Sequence, residues 1–94
     1  MKKLTKSQIK KGLEKLQGWQ TDYKCIYKTI KTKGFPHTLG LVTAIGTICQ
    51  QFDHHPDFIV VRYSELTISF STHSAKGITE KDLQIADELE KLLS

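Results

Sequence analysis

The chain opens on a helix-start pattern, Leu4-Thr5-Lys6-Ser7-Gln8-Ile9, in which Thr5 can cap, Gln8 can reach back to it and Leu4 can close over Ile9. Ile9, Leu13 and Leu16 form an apolar stripe at helical spacing, and Gly18 closes the segment. The pattern then becomes aromatic and β-branched over Trp19 to Asp22 and Cys25 to Thr32, predicting a hairpin that turns near Tyr23 and Lys24. Gly34-Phe35-Pro36 breaks it and starts a second helix, since proline is tolerated in a helix's first turn. Leu41, Val42, Ile45, Ile48, Cys49 and Phe52 share one broad face of that helix, while Thr43, Thr47, Gln50, Gln51 and His54 share the other. Pro56 predicts its end around Asp53 to His55, because the residue before a proline is disfavoured in helical geometry.

Phe58 to Tyr63 and Leu66 to Thr72 predict a second hairpin turning at Ser64 and Glu65. Leu66, Ile68 and Phe70 should face the core, with Thr67, Ser69, Ser71 and His73 in a polar row opposite. A third helix follows, capped by Thr79 with Asp82 as its partner and with Ile78 stapled onto Leu83. Its buried side should be Leu83, Ile85, Ala86, Leu89, Leu92 and Leu93. The order α-β-β-α-β-β-α reads as an α+β fold: a four-stranded antiparallel sheet with three helices on one face, residues 1–94 as a single domain.

Composition narrows the class. With 38% hydrophobic residues, six Gly and two Pro, the chain can bury a core, which excludes a disordered segment. Its longest apolar stretch, Leu39 to Cys49, is broken by Gly40, Thr43, Gly46 and Thr47, well short of the roughly 20 residues of a membrane span. Lys6, Lys10 and Lys11 stand where a signal peptide would be apolar, and Cys25 and Cys49 each fall in an apolar stretch without disulfide or metal spacing. A soluble, cytoplasmic protein is the expectation. The net charge of +4 divides into +8 over residues 1–33 and −4 over residues 34–94. Thirteen of the fourteen bases are Lys, and only Arg62 offers the bidentate guanidinium that nucleic-acid recognition favours, so direct nucleic-acid binding is not expected.

The chemistry concentrates in histidines. His54, His55 and His73 lie at the ends of predicted elements, where an imidazole, with an unperturbed pKa of roughly 6.5, can give or take a proton near neutrality. Two other readings stand beside catalysis: histidines capping a helix C-terminus, and a metal site drawing on Asp53 or Asp57. Neighbouring histidines cannot easily share one metal, which argues against the second. Gln50 precedes His54 by four residues, about 40° around an ideal helix, so its amide is expected beside that imidazole. His37 reads as surface decoration.

One spaced set ties these residues together: Asp53-His54-His55-Pro56, six residues, Tyr63, nine residues, His73 within Ser71-Thr72-His73, eight residues, Asp82. With Trp19, Phe35 and the element order, it resembles the pterin-4a-carbinolamine dehydratase family over nearly the whole chain. Members of that family are also known as dimerisation cofactors of a homeodomain transcription factor. The resemblance implies dehydration of 4a-hydroxytetrahydropterin to quinonoid dihydropterin, recycling the pterin of aromatic amino acid hydroxylases, with no metal or organic cofactor. It also implies roles. His54 and His73 would be the acid/base pair, His55 would bind and orient the pterin, and Asp53, Ser71, Thr72 and Ser74 would contact it. Gln50 and Ser74 depart from the family, which usually carries ionisable residues there. The alternative implied is a non-catalytic dimerisation or regulatory protein. Helix two's apolar surface from Leu39 to Phe52 exceeds what one sheet face should cover, so a homodimer or homotetramer is expected.

Overall fold

The computed structural model describes residues 2–93. Its elements run α1 (Lys6–Leu13), β1 (Gln20–Thr21), β2 (Ile26–Lys31), α2 (Phe35–Gln51), β3 (Phe58–Val61), β4 (Glu65–Phe70) and α3 (Glu80–Leu93), with a 3₁₀ turn at His73–Ala75. The order is the one expected. At α1 the reciprocal cap forms in full: Thr5 N–H donates to Gln8 Oε1 at 2.9 Å and Gln8 N–H to Thr5 Oγ1 at 3.2 Å. The helix stops at Leu13, short of Gly18, but a tight turn still delivers Leu16 to the core.

The strands lie in the order β1-β2-β4-β3, all neighbours antiparallel. Pairing of Ile26 with Phe70 and of Ile30 with Leu66 puts these residues, and Ile68 between them, on the helix-covered face. Ile45 and Cys49 of α2 and Ile85, Ala86 and Leu89 of α3 complete that core. The other face carries a polar ladder, with Thr29 and Thr67 joined by their hydroxyls at 2.9 Å and Lys31 opposite Glu65. Between β1 and β2, Tyr23 takes φ +68°, and Asp22 Oδ1 accepts from the backbone N–H of Lys24 and Cys25. These bonds, that from Cys25 foremost, hold the Asp22 carboxyl below the usual carboxylate range.

Two expectations are corrected. Trp19 is not in a strand: it folds inward onto Phe70 and donates its indole N–H to Glu90 Oε2 at 3.0 Å, an oxygen that Lys28 Nζ also reaches at 2.6 Å. Leu92 is exposed rather than buried. Because β1 is two residues long, β2 is left uncovered from Lys28 to Lys31, and the last turn of α3 faces an open cleft of about 310 Å³ there. Among the described residues, no helix is long and apolar enough to cross a membrane.

Candidate active site

The end of α2 aims the first histidine. Asp53 takes φ +51°, its N–H donates to Gln50 O at 3.2 Å, and His54 N–H donates to Cys49 O at 3.0 Å. This paired closure, with one residue in left-handed geometry, reverses the chain and satisfies two of the helix's last carbonyls. His54 is thereby turned inward, 9% exposed, with its ring stacked on Phe70 at 5.9 Å and 19°. The sequence placed His54 on the polar face of α2, which would hold only if the helix ran through it.

His54 Nε2 lies 2.5 Å from Asp82 Oδ1. Asp82 is fully buried in the first turn of α3, where its other oxygen accepts from Thr79 N–H and Thr72 Oγ1, each at 2.9 Å. The expected cap is therefore present, since Thr79 Oγ1 accepts from Lys81 N–H at 3.2 Å and Asp82 reaches back to Thr79 N–H, while the other Asp82 oxygen serves the histidine. A carboxylate accepts hydrogen bonds only, so Nε2 carries the proton and Nδ1 is left as the free ring nitrogen. Among the described residues no fully buried side-chain nitrogen or oxygen lacks a partner, so Nδ1, which has none, is not sealed from solvent.

His73 differs from expectation in its backbone: the strand ends at Phe70, and His73 opens the 3₁₀ turn rather than extending the strand's polar row. Thr72 and Gly77 bridge across the base of that turn, which a β-row cannot follow. The side chain nevertheless joins Ser69 and Ser71 of that row at one acceptor. His73 Nε2 lies 2.7 Å from Asp57 Oδ1, Ser71 Oγ reaches both Asp57 oxygens at 2.8 and 2.9 Å, and Ser69 Oγ reaches one at 3.4 Å. The Cys25 thiol lies half-buried in the same cluster and is pushed above the usual thiol range, mainly by burial and further by the charges of Asp22 and Asp57.

Residues 69 to 73 therefore alternate between two clusters. Phe70 and Thr72 serve His54 and Asp82, while Ser69, Ser71 and His73 serve Asp57. His55 is exposed, and its Nε2 lies 3.1 Å from Gln50 Oε1. This corrects the expected Gln50–His54 neighbourhood: the left-handed residue at Asp53 breaks helical spacing, so the amide meets the histidine five residues on. Asp53 and Ser74 are exposed, whereas the Thr72 hydroxyl is turned inward onto Asp82 and Thr79. His37 is tied locally, its Nδ1 accepting from Lys33 N–H. Clefts of about 310 and 280 Å³ elsewhere on the molecule are lined by residues other than His54, His55 and His73. No three His, Cys, Asp or Glu among the described residues converge as metal ligands.

Residues 2–92 match the family described as pterin 4 alpha carbinolamine dehydratase. The chain belongs to that family. A Sulfolobus acidocaldarius protein carrying the pterin-4-alpha-carbinolamine dehydratase name is 37% identical over 90 residues, 96% of this chain and 98% of its own. One from Aquifex aeolicus with the same name is 33% identical over 93 residues, 99% of this chain and 93% of its own. Among solved structures, a transcriptional coactivator/pterin dehydratase from Brucella melitensis superposes with a TM-score of 0.90 at 28% identity, covering 98% of this chain and 99% of that one. A pterin dehydratase-like RuBisCO assembly factor of the alpha-carboxysome shares the fold, with a TM-score of 0.64 at 15% identity over 79% of this chain and 84% of its own. What the sequence did not assign is the work of two carboxylates. In the sequence Asp82 stands in the spaced set with a helix cap as its expected role, and Asp57 stands only among the metal-ligand candidates. The signal for Asp57 was its place two residues after His55, but the β3–β4 register that carries it to Ser71 and His73 is not written in residue spacing.

Proposed function

We propose that the chain dehydrates a 4a-hydroxytetrahydropterin to the quinonoid dihydropterin, using His54 and His73 as proton carriers. The observation that supports this most directly is the pair of histidine–carboxylate contacts at one strand end, His54 with Asp82 and His73 with Asp57. In the reaction the C4a–O bond breaks, the hydroxyl takes a proton and leaves as water, and the N5–H electron pair becomes the C4a=N5 double bond as that proton is removed. One imidazole must give a proton and the other accept one, and in both rings Nε2 is engaged, which leaves Nδ1 for the exchange. His55, Asp53, Ser71 and Ser74 are positioned by this reading to hold the pterin, while Thr72 acts through Asp82. In this role the protein returns pterin to aromatic amino acid hydroxylases.

The deciding experiment supplies carbinolamine from a pterin-dependent hydroxylase and follows quinonoid product with and without the purified chain. Acceleration over the uncatalysed breakdown is expected, and its absence would overturn the reading.

A non-catalytic dimerisation or regulatory role has its own support in exposed apolar surface. Leu39 on α2 and Phe58, Val60 and Val61 on the edge strand β3 are all exposed. Phe35 and Tyr63 stack on the surface with centroids 6.4 Å apart, Tyr63 being 73% exposed. Such surface is what a homodimer or homotetramer would cover. Sedimentation showing only a 10.7 kDa species at micromolar concentration would count against association.

A further inference from the structure

His73 has little to hold it. Its side chain is 83% exposed and it starts a 3₁₀ turn. No ring stacks on it as Phe70 does on His54, and the one hydrogen-bond partner of its side chain among the described residues is Asp57. Asp57 is the opposite case. Its side chain is 19% exposed, its backbone N–H donates to Ser69 O at 2.7 Å, and its carboxylate takes the Ser71 and Ser69 hydroxyls. The carboxylate is thus fixed to the sheet at both backbone and side chain, and the imidazole is fixed to the carboxylate.

We propose that Asp57 is the positioning residue for His73, holding the ring as its Nε2–H tautomer with Nδ1 presented to the reacting pterin. The inference rests on the dehydratase reading for its purpose, though not for its geometry. An ionised carboxylate can only accept, so this contact selects one tautomer and one ring orientation. An amide in its place could accept from one ring nitrogen or donate to it, and both tautomers would then be populated. The same loss follows wherever a histidine's orienting carboxylate is replaced by an amide.

The test compares Asp57→Asn, Asp57→Glu, His73→Ala and the double variant Asp57→Asn/His73→Ala as full chains, each checked for native circular dichroism. If His73→Ala loses about 10²–10⁴-fold in kcat, Asp57→Asn is expected to lose at least about tenfold with KM held. The double variant should be no slower than His73→Ala, because two groups serving one proton transfer are not additive. Asp57→Glu, which keeps the acceptor, should recover part of the rate. Independently of turnover, ring ¹⁵N shifts should show one neutral tautomer of His73 in the parent and a mixture in Asp57→Asn, with His54 unchanged. Unaltered His73 ring shifts in Asp57→Asn, or a double variant whose loss is the product of the single losses, would overturn the positioning role. A parent without dehydratase activity would instead overturn the functional reading, and the ring shifts would still decide whether Asp57 governs the tautomer.

Discussion

His54 and His73 both set Nε2 against a carboxylate oxygen, at 2.5 and 2.7 Å, but the first ring is nine-tenths buried on Phe70 while the second stands in solvent. Asp82 is enclosed by Thr72, Thr79 and the helix it starts, and its pair with His54 holds β4, α3 and the end of α2 together. The Asp57 pair lies on the outer side of the same strand end and ties down a side chain rather than an element. The same two residue types thus tie several elements together in one place and fix a single side chain in the other. Burial decides which, because a desolvated charge left without its partner is costly while an exposed one is re-solvated.

Four results would break or sharpen this contrast, beginning with the largest. Substituting His54 or His73 by Ala should each lower the dehydration rate about 10²–10⁴-fold, and the double substitution should add little. Full activity in both single variants would end the pairing of the two sites in one reaction. Next, Asp82→Ala should cost about 3–5 kcal/mol in denaturant unfolding, whereas His73→Ala should stay within roughly 1 kcal/mol of the parent. Equal losses would mean that burial does not separate the two pairs. A smaller effect is expected from Gln50→Glu. A carboxylate favours the protonated imidazole, so the NMR titration midpoint of His55 should move up by as much as about one pH unit while that of His54 stays in place. Movement of His54 instead would restore the helical spacing that the left-handed Asp53 breaks. The smallest effect is at Cys25, whose thiol is held protonated to higher pH chiefly by burial, with Asp57 adding to it. Asp57→Asn should raise the thiolate fraction at pH 8, speeding iodoacetamide labelling of Cys25 by a factor of about two. Slower labelling would place Asp57 away from that cluster.

Much of the fold follows from local signals that are strong here. The Thr5–Gln8 cap, the Pro36 start and the alternation through Leu66, Ile68 and Phe70 each depend on a few adjacent residues, and each appears where those residues put it. The histidines could be singled out for the same reason: Pro56 and the strand end mark them locally. What escaped was long-range or turned on backbone geometry. The partners of His54 and His73 lie 28 and 16 residues away, and no periodicity connects them. Helical spacing pairs Gln50 with His54, but Asp53 leaves the helix between them and the amide meets His55 instead. The type of Trp19 favours a strand, whereas its position is set by Phe70 and Glu90.

That tryptophan gives the molecule its own optical gauge. Trp19 is the only one in the chain, its ring packs 6.2 Å from Phe70, and its N–H is bonded to Glu90 on α3. Phe70 is also the surface on which the His54 ring rests, and α3 is the helix that carries Asp82. Any loosening of α3 breaks the indole bond and admits water to the ring, which red-shifts its emission. Fluorescence from one native residue therefore reports whether the buried histidine–carboxylate pair is assembled, without label, ligand or substitution.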